Sequence, residues 1–172
     1  ALQWLRQAGL IHQVYLNKTP NMPLSAYDDL SAFKIYLSDI GLLRKLAEVP
    51  VAALVTKDDV IGYREFKGAF AENYVLQSLS TQSTVNLRYW TSNNSAEVDF
   101  LLQYDTHILR IVVKSGKSTS SRSLTLYNAD KHPILRIRYS DKELKLDDNL
   151  LNIPLYMADW TFALLDCVIA SL

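Results

Sequence analysis

The chain is poor in several features that mark particular classes of protein. Its 172 residues include one cysteine, Cys167, which excludes an internal disulfide and indicates a reducing, cytoplasmic setting. No apolar run approaches the roughly 18–20 residues that a membrane-spanning helix needs, so we expect no membrane role. The three histidines have no cysteine companions and no ligand spacing, which argues against a zinc site.

Neither sign of charge is in excess. Lys and Arg together number 18, as do Asp and Glu, whereas a protein that coats DNA is usually strongly basic. The balance excludes that class and leaves a local basic face open. Apolar residues make up 49% of the chain and charged residues 21%, which is typical of a globular protein with a sizeable core.

Hydrophobic periodicity predicts an α/β (α+β) fold in which helices flank a mixed central sheet. We expect a helical and strand lead-in at 1–58 and a main domain at 59–172. The chain opens inside an amphipathic pattern at Ala1-Leu2-Gln3-Trp4, so we expect a longer parent protein. The predicted helices are 2–8, 40–47, 60–80, 124–130 and 161–170, the predicted strands are 11–16, 33–37, 88–91, 97–103, 107–114, 134–139 and 153–157, and 49–55 is predicted to be an apolar connection.

Glu72 is a carboxylate on the apolar side of the predicted helix 60–80. Burying a carboxylate among apolar neighbours costs several kcal/mol unless a partner meets it. Two interpretations stay open: a structural acid paired with Arg88 or Lys114, or a functional acid aimed at the end of the sheet. The neighbours on that side of the helix are Ala69, Val75, Leu76 and Leu79.

Two successive predicted strands carry an acid and a lysine. Alternation along the first strand places Glu97 and Asp99 on one face, with Val98 and Phe100 on the other. The next strand ends at Lys114. A short turn between these strands would bring Asp99 close to Lys114 if the faces match.

Phosphodiester hydrolysis is the chemistry that such a group of residues performs. Carboxylates hold Mg²⁺, and a lysine orients the attacking water or neutralises developing charge. We therefore predict Glu72, Asp99 and Lys114 as catalytic residues, with Glu72 and Asp99 as Mg²⁺ ligands. Val112 stands where a further acid is needed, and valine offers no oxygen. The predicted site is therefore incomplete, and Glu97 is the candidate substitute for the missing acid.

Five motifs extend along nearly the whole chain: Trp4-Leu5-x-x-Ala8-Gly9-Leu10, Phe33-Lys34-x-Tyr36-Leu37-x-Asp39-x-Gly41-Leu42-Leu43, Lys67-Gly68-Ala69-x-Ala71-Glu72-Asn73, Tyr89-Trp90-x-Ser92 and Ala96-Glu97-Val98-Asp99-Phe100. In combination they resemble an uncharacterised C-terminal domain that follows AAA+ ATPase modules in many bacterial and archaeal proteins. In that family the last third is similar to the PD-(D/E)XK nuclease fold, as in archaeal Holliday-junction resolvases. The resemblance implies a restriction-endonuclease-like fold, with Glu72, Asp99 and Lys114 at the core site positions.

The chain departs from the family at one functional position. The family usually has Glu-Val-Lys-Ser-Gly where this chain has Val112-Val113-Lys114-Ser115-Gly116. This departure predicts weakened or lost Mg²⁺ binding and cleavage, and it leaves the fold prediction unchanged. The resemblance also implies an ATPase module upstream in the same polypeptide.

A loop after the lysine strand looks like a phosphate-binding loop but fails the pattern. A P-loop reads Gly-x-x-x-x-Gly-Lys-Ser/Thr, and its first glycine would fall at Ile111. We therefore predict no ATP binding by this chain. The same loop, with Lys114, Lys117 and Arg122, is a candidate contact for DNA phosphates, and a solvated polar loop is the alternative.

Three functions remain open from the sequence. The first is a non-catalytic, nuclease-like module that binds DNA or a protein partner for an AAA+ ATPase. The second is an active Mg²⁺-dependent DNA endonuclease that uses Glu72, Asp99 and Lys114. The third is a regulatory interaction domain with no nucleic-acid role. The missing acid at Val112 favours the first.

Overall fold

A single mixed sheet organises the chain. The computed structural model describes residues 1–55, 64–92, 96–116 and 133–171. Eight strands in these ranges form one sheet in the order β2-β1-β3-β4-β5-β6-β8-β7. The strands are β1 Ile11–Asn17, β2 Asp28–Leu37, β3 Arg88–Ser92, β4 Ala96–Tyr104, β5 His107–Val113, β6 Arg136–Ser140, β7 Lys145–Asp147 and β8 Leu150–Pro154.

The described helices flank this sheet. β1 pairs with β3, β5 with β6 and β6 with β8 in parallel, and the other neighbours are antiparallel. The predicted mixed sheet flanked by helices is therefore confirmed. The helices are α1 Leu2–Gln7, α2 Ile40–Leu46, α3 Val51–Val55, α4 Arg64–Gln82 and α5 Thr161–Ile169, with 3-10 turns at Leu24–Tyr27 and Leu155–Trp160.

The main core lies between α4 and the sheet. Val75, Leu76 and Leu79 of α4 are almost completely buried, and they recur at the spacing of one helix face. The sheet meets them with alternate residues of its central strands, such as Ile111 and Ile137. Fully burying one such side chain contributes about 1.5–3 kcal/mol, so this layer fixes where α4 lies.

Local sequence signals correctly predicted where several helices and strands begin or end. Gly9 has φ +70° and follows α1, as predicted, because a glycine adopts this conformation without strain. Asp39 caps α2, and its Oδ1 accepts from the Leu42 N–H at 2.7 Å. The turn between β4 and β5 is short, because Tyr104 pairs directly with His107.

Other predictions on secondary structure were wrong or fall outside the described residues. The connection at 49–55 contains α3, because Pro50 precedes the helix, where its missing N–H is no loss. Strand β7 was missed, since its three residues are all exposed and carry no apolar alternation. The predicted loop at 118–123 and helix at 124–130 lie outside the described ranges, as does the start of the predicted helix 60–80.

None of the helices in the described ranges is both long enough and apolar enough to cross a membrane.

Candidate functional site

Strands β4 and β5 separate at one end, and Asp99 lies in the fork between them. The two strands pair from Tyr104–His107 as far as Phe100–Ile111. Beyond that point the start of β4 pairs with β3, whereas the end of β5 pairs with β6. The Val113 N–H donates to Asp99 Oδ2 at 2.7 Å. The carboxylate therefore takes a backbone donor at the place where the ladder opens.

A bulge in β4 sets the direction of Asp99. Arg88 of β3 pairs with Leu101, but Trp90 pairs with Val98. Tyr89, the one residue between Arg88 and Trp90, therefore lies opposite both Asp99 and Phe100. Such a bulge shifts the alternation of side chains by one residue. The prediction that Val98 and Phe100 share a face was therefore wrong. Val98 packs with Leu101 and Leu24 in a small separate cluster, whereas Phe100 joins the main core.

Glu72 projects from α4 toward the same region and is partly buried. Its Oε2 accepts a hydrogen bond from the Tyr36 hydroxyl at 3.0 Å, and its side chain is 26% exposed. Of the two partners that the structural interpretation allowed, Arg88 binds Asp28 instead. No ion pair within 4 Å joins Glu72 to Lys114 in the described part of the chain. Glu72 therefore has partners within the protein, and these partners come from β2.

Lys34 of β2 reaches across β1 and β3 to this acid cluster. Its Nζ is 2.5 Å from Glu97 Oε1 and 4.0 Å from Glu72 Oε2. The same ammonium lies 5.1 Å from the ring centroid of Tyr89, which belongs to the intervening strand β3. An aromatic face at that distance attracts a cation. Lys34 therefore connects α4 with the start of β4.

The fork makes Asp99 a weaker acid than usual. Asp99 is 8% exposed. Burial, and after it the charge of Glu72, raise its pKa from 3.8 to about 7. The Val113 N–H and the charges of Lys114 and Lys34 act in the opposite direction. A carboxyl group that titrates near neutral pH beside a second acid is typical of functional sites.

Two neighbouring groups keep fixed protonation states. Burial raises the pKa of Tyr36 well above its ordinary value, and the charge of Glu72 and the hydrogen bond to it add to the effect. Burial alone would lower the pKa of Lys34, but the Glu97 hydrogen bond and the charges of Glu72, Glu97 and Asp99 raise it overall. Tyr36 is therefore a neutral donor and Lys34 a cation at neutral pH.

The remaining predicted site residues lie around the fork or outside the description. The Lys114 N–H donates to the Tyr139 carbonyl at 2.9 Å, and its side chain acts on Asp99 through charge. Val112 is completely buried and, by alternation, faces away from Ile111 and Val113. Lys117 and Arg122 are not among the described residues.

The cluster does not fit a Mg²⁺ ion. Carboxylate oxygens are the right type of ligand for this metal. In the described ranges, however, no group of three or more His, Cys, Asp or Glu side chains has the spacing to hold a metal. Each carboxylate already accepts from a protein donor. The pairs are Glu72 with Tyr36, Glu97 with Lys34, and Asp99 with Val113.

Two amides on α4 hold β2 and α2 in place beside the cluster. The Leu37 N–H donates to Asn73 Oδ1 and the Asn73 Nδ2 donates to the Leu37 carbonyl, both at 2.9 Å. Gln77 Oε1 accepts from the Ile40 N–H at 2.8 Å. Because Asn73 is adjacent to Glu72 in sequence, these bonds place β2 where Tyr36 meets Glu72.

A cavity on the other side of α4's contact with β1 is a separate feature. It measures about 470 Å³ and lies between β1, the C-terminal half of α4 and the start of β3. Its lining includes Arg6, His12 and Ser80, but none of the predicted site residues. Burial lowers the pKa of His12. We assign the functional site to the fork, where acids and lysines converge, and not to this cleft.

Sequence reasoning missed Lys34 and Tyr36 as members of the site. Lys34 and Tyr36 are two residues apart in the predicted strand 33–37, so they share one face of it. This spacing could have linked the two residues to each other. Nothing local indicated that this face meets Glu72 and Glu97.

The fold and the fork define a mixed α/β domain with a partly buried acid–lysine cluster. Comparison with known families then shows the family of the chain. Residues 67–157, more than half of the chain, match a family described as Domain of unknown function (DUF4143). The chain belongs to that family. Residues 1–52 match a second family, Domain of unknown function (DUF8612). No curated protein and no solved structure matches the chain.

Proposed function

We propose that the chain is a non-catalytic, nuclease-like binding module that serves an AAA+-type ATPase in the same polypeptide, in the cytoplasm. The motifs that resemble the domain following AAA+ modules support this assignment, and DUF4143 domains are often linked to ATPases of that type. The nuclease-like part of the proposal is supported by the positions of three residues in the fold: Glu72 on α4, Asp99 at the fork of β4 and β5, and Lys114 directly after β5.

The non-catalytic assignment rests on the hydrogen bonds that the three carboxylates accept from the protein. Hydrolysis would need carboxylate oxygens that converge on a cation. Here Glu72, Glu97 and Asp99 accept from protein donors, and Val112 supplies no oxygen. Lys34 provides the positive charge that the acids require, so the cluster is stable without a metal.

The distribution of exposed apolar side chains supports a protein partner. Most of the exposed large apolar residues in the described ranges lie in residues 1–55, and four of them are more than half exposed. Large contiguous patches of exposed apolar groups mark interaction sites. We propose that this part contacts the ATPase module. The four residues are Trp4, Leu30, Leu46 and Val51.

A second candidate function, DNA contact, is favoured by the lysine at the fork. In the described part of the chain, Lys114 forms no ion pair within 4 Å, so its charge is available to a phosphate. Lys117 and Arg122 follow it in sequence. Phosphate contacts of this kind bind without sequence preference and weaken as salt rises.

A nicking assay on supercoiled plasmid and on branched DNA tests the proposal. With Mg²⁺ or Mn²⁺ added, we expect the chain to convert no more substrate than buffer does, because the acids accept from protein donors and lack the spacing to hold a metal ion. The matched controls are Asp99→Asn and Lys114→Gln, which should give the same background. Nicking by the parent chain that both variants abolish would overturn the proposal and favour the endonuclease.

A gel-shift series with the same DNA substrates tests whether the chain binds DNA. Salt-sensitive binding that Lys114→Gln weakens, and Lys45→Gln does not, would support DNA contact. Absence of binding at low salt would leave the protein partner as the ligand of the module.

A further inference from the structure

The cleft between β1 and α4 has the size of a small-molecule site and lies where two parts of the chain meet. It measures about 470 Å³, and pockets that bind small molecules measure about 300–1,000 Å³. One wall, β1, belongs to the segment 1–52, whereas the C-terminal half of α4 and the start of β3 belong to the segment 67–157. Small-molecule sites occur preferentially at such junctions.

Polar side chains from three elements meet at this cleft. His12 shares one face of β1 with Val14, which packs in the main core beside α4. Ser80 lies one helix turn after Leu76, another core residue that lines the cleft. Arg6 comes from α1. Within the described ranges, the side chains of Arg6, His12 and Ser80 form no hydrogen bond or ion pair with the protein, so all three are available to a ligand.

One charge is uncompensated among the described residues that line the cleft. Asp28 and Arg88 neutralise each other, with Arg88 Nη2 at 2.9 Å from Asp28 Oδ2. Burial lowers the pKa of His12 from its ordinary 6.5, so its imidazole is neutral at neutral pH and can donate or accept a hydrogen bond. Arg6 remains as the cation. A guanidinium binds carboxylate and phosphate groups through paired hydrogen bonds, so the lining favours an anion.

We propose that this cleft binds a small organic anion, whose phosphate-ester or carboxylate head contacts Arg6 and whose body lies between β1 and α4. The volume leaves room for a body beyond the head, and His12 and Ser80 offer it neutral hydrogen bonds. The ligand would join the two family-matched segments, whose strands β1 and β3 share a ladder of two residue pairs. The inference goes beyond the proposed function and does not rest on it.

Four probes that share an aromatic body or an anionic head test the inference. Phenyl phosphate and benzoate combine the body with either head, phenol has the body alone, and inorganic phosphate has the head alone. Each is titrated into the chain at neutral pH, and nuclear magnetic resonance follows the backbone amides and the histidine rings. We expect at least one organic anion to bind saturably, about tenfold or more tightly than phenol or inorganic phosphate. It should shift the ring signals of His12 but not those of His107, which does not line the cleft.

Three variants separate the cleft from a general effect of charge. Arg6→Gln should weaken binding of the organic anion at least about tenfold, because it removes the cation that holds the head. Arg6 is exposed, so this variant should fold like the parent, which circular dichroism checks. Lys45→Gln removes a charge at the end of α2, outside the cleft, and should leave the affinity unchanged. Ser80→Leu places a larger side chain in the cleft and should abolish binding with Arg6 intact.

The probe that binds more tightly identifies the head, a phosphate ester for phenyl phosphate and a carboxylate for benzoate. Absence of saturable binding by both organic anions would overturn the inference. Binding that Arg6→Gln leaves unchanged, or that Lys45→Gln weakens equally, would do the same. Inorganic phosphate that binds as tightly as phenyl phosphate would also contradict it, because the contact would then need no organic body. None of these results involves DNA or nicking, so they are distinguishable from a failure of the proposed function.

Discussion

Replacing Asp28 by alanine is expected to lower the free energy of unfolding by about 3–5 kcal/mol, because it removes the carboxylate partner of a largely buried guanidinium. Arg88 Nε lies 3.0 Å from Asp28 Oδ1, and Nη2 lies 2.9 Å from Oδ2. The two side chains are 13% and 9% exposed. This geometry is the bidentate form in which an arginine binds a carboxylate most strongly.

The Asp28–Arg88 pair matters because it joins the edge of the sheet to its centre. β1 and β3 share a ladder of two residue pairs, Tyr15 with Arg88 and Leu16 with Tyr89. Asp28 begins β2 on the other side of β1. The ion pair therefore reinforces a short parallel ladder, and its loss should loosen the strand that carries Lys34.

Chemical denaturation measures this effect, with an exposed pair as the control. Lys145 and Asp147 form an ion pair at 3.5 Å, and their side chains are 69% and 75% exposed. Asp147→Ala should cost less than about 1 kcal/mol. The double variant Asp28→Leu/Arg88→Met should recover most of the loss, because it leaves no buried charge. A loss in Asp28→Ala as small as that in Asp147→Ala would contradict the prediction.

Asp99→Asn is expected to stabilise the chain at alkaline pH and to leave its stability nearly unchanged at acid pH. The folded-state pKa of Asp99 is raised from 3.8 to about 7, first by burial and then by the charge of Glu72. Between these two values the folded chain holds more protons than the unfolded chain, so stability falls as pH rises. The asparagine variant has no proton to lose and escapes this decline.

The advantage of Asp99→Asn should grow from near zero at pH 4 to about 2–4 kcal/mol at pH 8. Denaturation series at several pH values measure it directly. The Val113 N–H still finds an acceptor, because the asparagine carbonyl oxygen can replace the carboxylate oxygen. Glu72→Gln should narrow the pH range over which Asp99 destabilises the parent chain, because it removes the second cause of the raised Asp99 pKa. A constant difference between parent and Asp99→Asn at all pH values would show that the carboxyl group is not perturbed.

The fold was largely predictable from the sequence, because its signals are local. The apolar run of β5, the cap at Asp39 and the glycine after α1 depend on residues close together in the chain. Strand β7 and helix α3 were missed because neither has the apolar pattern of its class. Short elements of this kind are fixed by their neighbours in space.

The site was predictable only in part. Glu72, Asp99 and Lys114 were expected together, and charge links Asp99 to the other two. The bulge opposite Tyr89 was not expected, since it depends on how β3 pairs with β4. Lys34 was not expected either, because its contact with Glu97 joins residues 63 apart on strands that are not neighbours.

The central claim is that Lys34, and not a metal ion, neutralises the acids at the fork. A crystal structure grown in millimolar Mn²⁺, with anomalous data collected for manganese, tests this claim most directly. We expect the Lys34 ammonium between Glu72 and Glu97, with no anomalous peak beside them. A manganese peak bound by Glu72 and Asp99, with Lys34 displaced, would contradict the account.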